Sequence, residues 1–178
     1  MIAASPGARK LPPVTESPTP ATPPTSTARA ILLTGLVAGL CDGTAAVVNY
    51  AAHGGTEPVK IAYYIASALF GRDTAYAGGW PMAVCGILMH FAIAMSWTAL
   101  FYVVYPRVRK YAGNVVVTAV VYGAFVWVMM NLVLVPLTRT PKGPFNPGRA
   151  AIEMGILMLC IGLPVSLMAR RHHSPAKT

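Results

Sequence analysis

The chain has 178 residues, of which 55% are hydrophobic and 11% charged, and its mean hydropathy is +0.56. A soluble domain carries about 25% charged residues, so this composition excludes an ordinary soluble domain and indicates a membrane protein. The net charge of +9 does not indicate nucleic-acid binding, because the basic residues lie in short clusters beside apolar segments. Such clusters are typical of topology signals and of contacts with anionic lipid headgroups. The predicted partner is therefore the lipid bilayer, and no nucleic-acid partner is expected.

Residues 1–28 are rich in Pro, Thr, Ser and Ala, as in "LPPVTESPTPATPPTSTA". Such a segment buries too little apolar surface to offset the entropy cost of ordering it, so a disordered tail is predicted. A polyproline II stretch that binds a partner is the alternative. The predicted organisation is this tail at 1–28, a four-helix transmembrane domain at 29–173 and a C-terminal tail at 174–178.

Four apolar segments follow the tail, and each is close to the ~20 residues that cross a hydrocarbon core. The bilayer requires each segment to satisfy its own backbone hydrogen bonds, and none shows the alternation of a membrane β-strand. The predicted fold class is therefore all-α, a polytopic membrane protein with four transmembrane helices. Their approximate ranges are Ala30–Asn49, Pro81–Tyr105, Asn114–Val135 and Ala150–Ala169.

The first loop, "EPVKIAYYIASALFGRD", is apolar for about twelve residues from Lys60, which is too short to cross the bilayer. It predicts a short interfacial or re-entrant helix, which either covers the ends of the other helices or gates a ligand. The third loop, "VPLTRTPKGPFNPG", contains four prolines and is predicted to be an extended external cap. Near the end of the last segment, Gly162 and Pro164 predict a kink or a local unwinding.

The distribution of Lys and Arg predicts the orientation of the chain. Nine of the 14 basic residues fall in the two tails and the second loop, and five fall in the first and third loops. The positive-inside rule then places both termini in the cytoplasm.

A glycine stripe accompanies an acidic residue in the first predicted helix. Gly35, Gly39 and Gly43 recur every four residues, which is a doubled small-xxx-small pattern that lets a neighbouring helix approach closely. Asp42 lies at the edge of this stripe. The pattern therefore predicts that Asp42 points into a helix contact and away from lipid.

The second helix carries a matching face at four-residue spacing, formed by Gly86, His90, Ala94 and Thr98. Asp42 and His90 both lie about 17–18 Å from the inner end of their helices, so an antiparallel pairing brings them together. A charged Asp at mid-span costs roughly 2.5–3.5 kcal/mol, which favours a partner or a protonated carboxyl. The prediction is an intramembrane polar pair of Asp42 and His90, hydrogen-bonded or ionic. Thr44, backbone donors or water are alternative partners for Asp42.

This pair is compatible with three roles: it fixes the register of two helices, it handles protons or cations, or it takes part in catalysis. A second, outer polar layer is predicted from Asn49, Asn131 and Glu153, which should lie at similar depth. Glu153 is expected in the first turn of the last helix, where a carboxylate suits the helix dipole, with Arg149 nearby. The alternative is an outward-facing polar pocket beneath the third loop.

The three cysteines, Cys41, Cys85 and Cys160, fall in three different spans without a CxxC motif or a histidine at metal spacing. They are predicted to be buried free thiols, and neither a metal site nor a cofactor is expected. The sequence contains no GxGxxG, P-loop, HExxH or GxSxG motif, so no enzyme activity is predicted.

Several short motifs resemble the YagU-like family of uncharacterised bacterial four-helix inner-membrane proteins. They are "GLVAGLCDG", "IASALFG", "AGG", "GILMHFAIA", "VYG", "MNLVLVPL" and "CIGLP". The resemblance implies a bacterial inner membrane and four helices, and it supplies no established activity. Many similar proteins carry a histidine on helix four at the position of Leu157. A metal or haem site that used His90 and that histidine would be incomplete in this chain.

The function that the sequence favours is a structural or accessory subunit of a larger membrane assembly or homo-oligomer. The alternative is a small proton-coupled transporter or permeation protein that uses Asp42 and His90, and this would need a dimer to enclose a path. A cavity lined by both residues would favour transport, whereas a dry, mutually bonded pair would favour the structural role. A third hypothesis is an enzyme that acts on lipid at the outer face through Glu153 and Asn131.

Overall fold

The structure, a computed structural model, describes residues 26–108, 110, 113–141 and 143–173. Within these residues the chain forms six helices and no strand. They are α1 (Thr27–Ala52), α2 (Val59–Phe70), α3 (Arg72–Ala77), α4 (Gly79–Val108), α5 (Val115–Leu137) and α6 (Pro147–His173). Residues 1–25 of the predicted N-terminal tail and the predicted C-terminal tail at 174–178 lie outside the described residues.

Four of these helices, α1, α4, α5 and α6, are long and apolar enough to cross a membrane. Their apolar segments comprise 26, 29, 23 and 27 residues, the segment in α4 ending at Arg107, with a mean hydropathy between 1.8 and 2.1. At a rise of ~1.5 Å per residue they are about 34–44 Å long, which exceeds the ~30 Å hydrocarbon core. The prediction of an all-α membrane protein with four spans and one shorter apolar helix in the first loop is confirmed.

The spans pack in the order α4–α1–α6–α5, and each neighbour runs antiparallel to the next. Met95, Phe91 and His90 of α4 meet successive glycines along α1. Thr27 at the start of α1 lies beside His172 at the end of α6, with 3.3 Å between the hydroxyl oxygen and the ring Nε2. The end of the bundle where α1 begins and α6 ends is called the terminal end below. The opposite end is called the loop end.

The glycine stripe of α1 faces α4. A Cβ added to Gly39 would lie 2.9 Å from the ring of Phe91, and one added to Gly43 would lie 3.2 Å from Nε2 of His90. Gly35 faces Met95 in the same way. Because these positions lack a side chain, α4 approaches the α1 backbone closely.

Gly86 has a different neighbour from the one that its spacing suggests. It lies on α4 against the backbone of Ala62 in α2, where no Cβ would fit. The face of α4 that was predicted to pair with α1 therefore contacts two helices. Gly86 contacts α2, and His90 contacts α1. The close approach of α2 to α4 at Gly86 explains why a 12-residue helix can pack stably along the larger one.

Two further glycines hold α5 against α6, although the sequence predicted only a kink or local unwinding at Gly162 and no contact at Gly123. Gly123 lies against the backbone of Met158, and Gly162 lies against the backbone of Ala119. Each helix thus contributes one glycine to a close backbone contact with the other.

Both α5 and α6 contain a π-helical segment, at Met129–Leu134 and Met158–Gly162. Each segment is followed two residues later by a proline, Pro136 or Pro164. Proline has no N–H and displaces the carbonyl of the preceding turn, and a wider turn accommodates this change. The predicted irregularity at Gly162 and Pro164 is therefore a π-helical turn, after which the helix continues to His173.

Aromatic side chains join α4 and α5 towards the terminal end. The hydroxyl group of Tyr122 donates a hydrogen bond of 2.5 Å to the carbonyl oxygen of Trp97. The ring of Tyr122 packs on Phe101 with 4.5 Å between centroids, and Trp97 meets Phe125 edge-on at 5.9 Å. These contacts hold α4 beside α5 in one half of the bundle, and a cavity separates the two helices in the other half.

Candidate functional site

The cavity in the loop-end half of the bundle has a volume of about 850 Å³. All four spans and α2 contribute to its wall, together with Thr138 and Thr140 of the α5–α6 connection. The backbone N–H of Arg139 donates a 3.3 Å hydrogen bond to the carbonyl oxygen of Ala68, which ties this connection to α2. The short helix and the third loop thus form one wall of the cavity.

The wall is mainly apolar, and its polar side chains are few. Among the described residues the lining contains one carboxyl group, that of Asp42, and one imidazole, that of His90. No Lys or Arg of the described residues lines it. The hydroxyl groups in the lining belong to Thr44, Tyr64, Thr138 and Thr140.

The mouth of the cavity is apolar as well. Leu40, Leu69 and Trp80 line the cavity and are 59%, 60% and 75% exposed. Exposed apolar side chains on or beside membrane spans contact lipid tails. Lipid tails are as apolar as the interior of a protein, so this exposure carries no cost. The cavity therefore opens among lipid-facing side chains.

His90 makes its hydrogen bond with the backbone of α1. Its Nε2 atom lies 2.9 Å from the carbonyl oxygen of Gly39. Because a carbonyl can only accept, Nε2 must carry the hydrogen, and Nδ1 is then the acceptor nitrogen of the neutral ring. The ring is held further by an edge-on contact with Phe91, at 5.4 Å between centroids.

Asp42 lies on α1 three residues beyond Gly39 and is half-buried at the same cavity. Among the described residues, however, no Asp42–His90 contact at ion-pair distance is present, because the ring is bonded to Gly39 instead. The structure thus brings the two predicted residues to one cavity and leaves the carboxyl group outside a direct pair.

The three residues of the predicted outer layer lie outside the wall of this cavity. Neither Asn49, Asn131 nor Glu153 is among the residues that line the cavity. The carbonyl oxygen of Asn49 accepts from Nδ1 of His53 at 2.8 Å. Asn131 donates from Nδ2 to the carbonyl oxygen of Trp127 at 3.1 Å, one turn earlier in α5 and next to the π-helical segment.

Glu153 is not in the first turn of its helix, because α6 begins at Pro147 rather than near Ala150. Asn146 is the N-cap residue, and its side-chain oxygen accepts from the N–H of Arg149 at 3.0 Å. The expected capping role of Glu153 is therefore taken by Asn146. Glu153 acts instead on Tyr64, whose pKa is raised first by partial burial and then by the negative charge of this carboxylate.

Two features of the site lay beyond sequence reasoning. The rings of Tyr64, Trp80 and Trp97 line the cavity, although their spacing in the chain gives no sign of a common location. Thr140 is buried, 6% exposed, within a loop whose composition predicted exposure. A hydrogen bond from Thr138 to Thr140, 2.9 Å between the hydroxyl oxygens, orders this turn, and the two threonines alone did not predict it.

A separate cluster of hydroxyl groups and rings lies at the terminal end. Thr34 donates to the carbonyl oxygen of Ala30 at 2.7 Å, so the 2.9 Å contact between Thr34 and Tyr102 has the phenol as donor. The rings of His172 and His173 pack on Tyr102 at 5.8 and 6.0 Å between centroids. These contacts fasten the end of α6 to α4.

The cysteines are dispersed. Cys85 and Cys160 are partly buried, but Cys41 is exposed, so the prediction of three buried thiols is wrong for Cys41. This residue precedes Asp42 and lies off the glycine stripe, where α1 faces lipid. Among the described residues no group of three or more His, Cys, Asp or Glu side chains is placed to hold a metal ion.

Comparison of the chain with protein-family models, curated proteins and solved structures finds no significant match. The resemblance to the YagU-like family thus stays a prediction from the motifs.

Proposed function

We propose that this multi-pass membrane protein is a small proton-coupled transporter or permeation protein, with Asp42 and His90 on its pathway. The observation that carries the proposal is the cavity of about 850 Å³, because both residues line it from neighbouring helices. Intramembrane ionisable residues commonly mark ion and substrate pathways when they face a cavity. A purely structural pair would be dry and mutually bonded, and the bond of His90 goes to Gly39 instead.

The two residues are suited to proton transfer for different reasons. The carboxyl group of Asp42 is not committed to an ion pair, so it can take up and release a proton at the cavity wall. His90 is fixed through Nε2, so the imidazole, a side chain commonly used in proton transfer, keeps one orientation at the cavity wall. We do not propose enzyme activity, since neither Glu153 nor Asn131 lines the cavity.

The test is proton movement in liposomes that contain the purified chain and a trapped pH-sensitive dye. A potassium gradient with valinomycin sets an inside-negative potential, and the rate of internal acidification is measured. The unaltered chain should acidify the lumen faster than empty liposomes, and Asp42→Asn should remove most of this difference. Asp73→Asn is the matched control, because Asp73 is exposed on α3 and does not line the cavity.

Two results would contradict the proposal. One is acidification by the unaltered chain at the rate of empty liposomes. The other is an Asp42→Asn variant that moves protons as fast as Asp73→Asn. Far-UV circular dichroism and elution as a single species establish that each variant is folded before its rate is compared.

We also propose that the working unit is a homo-oligomer, which the sequence favours together with the alternative of a larger assembly. The cavity of one chain is open at its mouth, so a single copy does not enclose a path across the bilayer. Native mass spectrometry after mild detergent extraction should show dimers or higher multiples of the 18.8 kDa chain. A stoichiometric foreign subunit would support the accessory role instead, and a lone monomer would contradict both.

For localisation we propose a bacterial inner membrane with both termini in the cytoplasm. The support comes from the excess of Lys and Arg in the tails and second loop, nine against five elsewhere. Arg29, Arg107 and Arg171 lie at the terminal end of the bundle, in keeping with this orientation.

A further inference from the structure

We infer that the cavity binds a lipophilic organic cation, with the carboxylate of Asp42 as its counter-ion. The inference rests on the proposed function, because it names the substrate class of the same cavity. A volume of about 850 Å³ lies within the range of sites for drug-sized organic molecules, roughly 300–1,000 Å³.

The charge of the lining selects a cation. The chain carries 14 Lys and Arg residues against five Asp and Glu, yet no described Lys or Arg lines the cavity, whereas Asp42 does. An ionised carboxylate within apolar walls is costly unless a positive charge accompanies it. A cationic ligand supplies that charge, and an anionic ligand of the same size would add to the cost.

Aromatic rings in the wall add to this preference. Tyr64, Trp80, Phe91 and Trp97 line the cavity from α2 and α4. The faces of such rings attract quaternary ammonium and phosphonium groups, which cannot donate hydrogen bonds and so gain little from hydroxyl groups. The combination of one carboxylate with several rings suits a bulky, delocalised cation better than a small metal ion.

The mouth explains why the cation should be lipophilic. Leu40 and Leu69 at the opening are 59% and 60% exposed among lipid-facing side chains. A strongly hydrated ion would have to lose its water before it passed them. An organic cation that already partitions into the bilayer can enter directly from the hydrocarbon region.

The experiment measures equilibrium binding of radiolabelled tetraphenylphosphonium to the purified full chain in detergent. Tetraphenylborate, an anion of nearly the same shape, is the matched probe, and empty micelles give the background. Tetraphenylphosphonium should bind saturably and at least about tenfold more tightly than tetraphenylborate, as expected for a charge-assisted interaction. Asp42→Asn should weaken the binding of tetraphenylphosphonium by a similar factor, and Asp73→Asn should leave this binding unchanged.

A second variant tests the aromatic contribution. Trp80→Leu should weaken the binding of tetraphenylphosphonium by about two- to fivefold, because an exposed ring contributes less to the affinity than a buried charge does. Trp80 is 75% exposed, so its replacement does not disturb the core. Should Asp42→Asn aggregate, the comparison of the two probes on the unaltered chain still decides the sign of the ligand charge.

The outcomes separate this inference from the proposed function. Equal binding of both probes, or binding unaffected in a folded Asp42→Asn chain, overturns the cation site. Absence of tetraphenylphosphonium binding while Asp42-dependent proton movement persists overturns the substrate class and leaves the transport proposal standing. Asp42-dependent binding without proton movement supports the cation site and contradicts transport.

Discussion

At the residue scale, the contact between His90 and Gly39 shows a second use of the glycine stripe. A backbone carbonyl within a helix is normally shielded by neighbouring side chains, and a glycine leaves it accessible. His90 therefore reaches the carbonyl oxygen of Gly39 at 2.9 Å, in addition to the bond that this oxygen makes within its own helix. The stripe allows close packing and also supplies an acceptor that orients the imidazole at the cavity.

The Thr34–Tyr102 hydrogen bond at the terminal end gives a prediction for stability. Thr34→Val removes the acceptor of the Tyr102 phenol at nearly constant volume, so the free energy of unfolding should fall by about 1 kcal/mol. Tyr102→Phe should have a comparable effect. The double variant should lose less than the sum of the two, by about 0.5–1 kcal/mol. The measurement is unfolding in mixed detergent micelles, followed by circular dichroism.

Thr118→Val is the control for this cycle. The hydroxyl group of Thr118 donates to the carbonyl oxygen of Asn114 within its own helix, at 2.9 Å, and Thr118 lies on α5 rather than one turn from Tyr102 on α4. Its effect should add to that of Tyr102→Phe without coupling. Strict additivity of Thr34→Val and Tyr102→Phe would show that their contact contributes nothing to stability.

Sequence reasoning at this scale located the polar residues better than it located their partners. The four-residue spacings of the glycine stripe and of the matching face predicted that Asp42 and His90 lie on contact faces of adjacent helices, and both line one cavity. The hydrogen bond of His90 to Gly39 was not predicted, because the acceptor is a backbone atom that every residue carries. Which carbonyl is exposed depends on how two helices cross, and hydropathy carries no information about that crossing.

At the scale of elements, the backbone contact between α5 and α6 is the tightest feature of that pair. Gly123 and Gly162 each lie against the main chain of the other helix. Main-chain atoms cannot move aside as the end of a flexible side chain can, so these two positions accept no side chain without a shift of the helices. Gly39 differs, because it faces the side chain of Phe91.

Gly123→Ala should therefore destabilise the fold by about 1–3 kcal/mol, the usual range for overpacking. Gly155→Ala is the matched substitution, because Gly155 lies in the partner helix α6 and a Cβ there would meet open space. It should leave the free energy of unfolding unchanged or raise it by up to about 1 kcal/mol, since alanine favours the helix. Detergent-induced unfolding of both variants beside the unaltered chain makes the comparison. Equal effects would mean that the contact at Gly123 relaxes at no cost.

The elements themselves were largely predictable, whereas their neighbours were not. Apolar length gave all four spans and the short helix, since a bilayer fixes how many apolar residues a crossing needs. The π-helical segments and the contact of Gly86 with α2 were missed. In a membrane both lipid-facing and helix-facing positions are apolar, so periodicity does not show which face meets which partner.

At the scale of the whole molecule, the order α4–α1–α6–α5 leaves the bundle closed on three sides and joined on the fourth only in part. Trp97, Phe101 and Tyr122 connect α4 with α5 towards the terminal end. Towards the loop end the same two helices are separated by the cavity, with α2 packed along α4. The volume available to a ligand is therefore confined to the loop-end half of the bundle.

The orientation of this arrangement can be tested with reporter fusions in a bacterial host. Green fluorescent protein at the C-terminus should fluoresce, because it folds in the cytoplasm, and alkaline phosphatase there should be inactive. Alkaline phosphatase fused after Gly143 in the third loop should be active, because that loop is expected outside. The reverse pattern would place the cavity in the cytoplasmic half and contradict the proposed topology.

The π-helical segments at Met129–Leu134 and Met158–Gly162 are the positions where the spans can lose one residue without losing their packing. A π-helical turn holds one more residue than an α-helical turn. Deleting one residue within such a segment would convert it to regular α-helix and keep both flanking faces in register. The same deletion elsewhere in a span would rotate everything beyond it by about 100°. We therefore expect single-residue gaps between this chain and its relatives to fall at these two segments, each just before its proline.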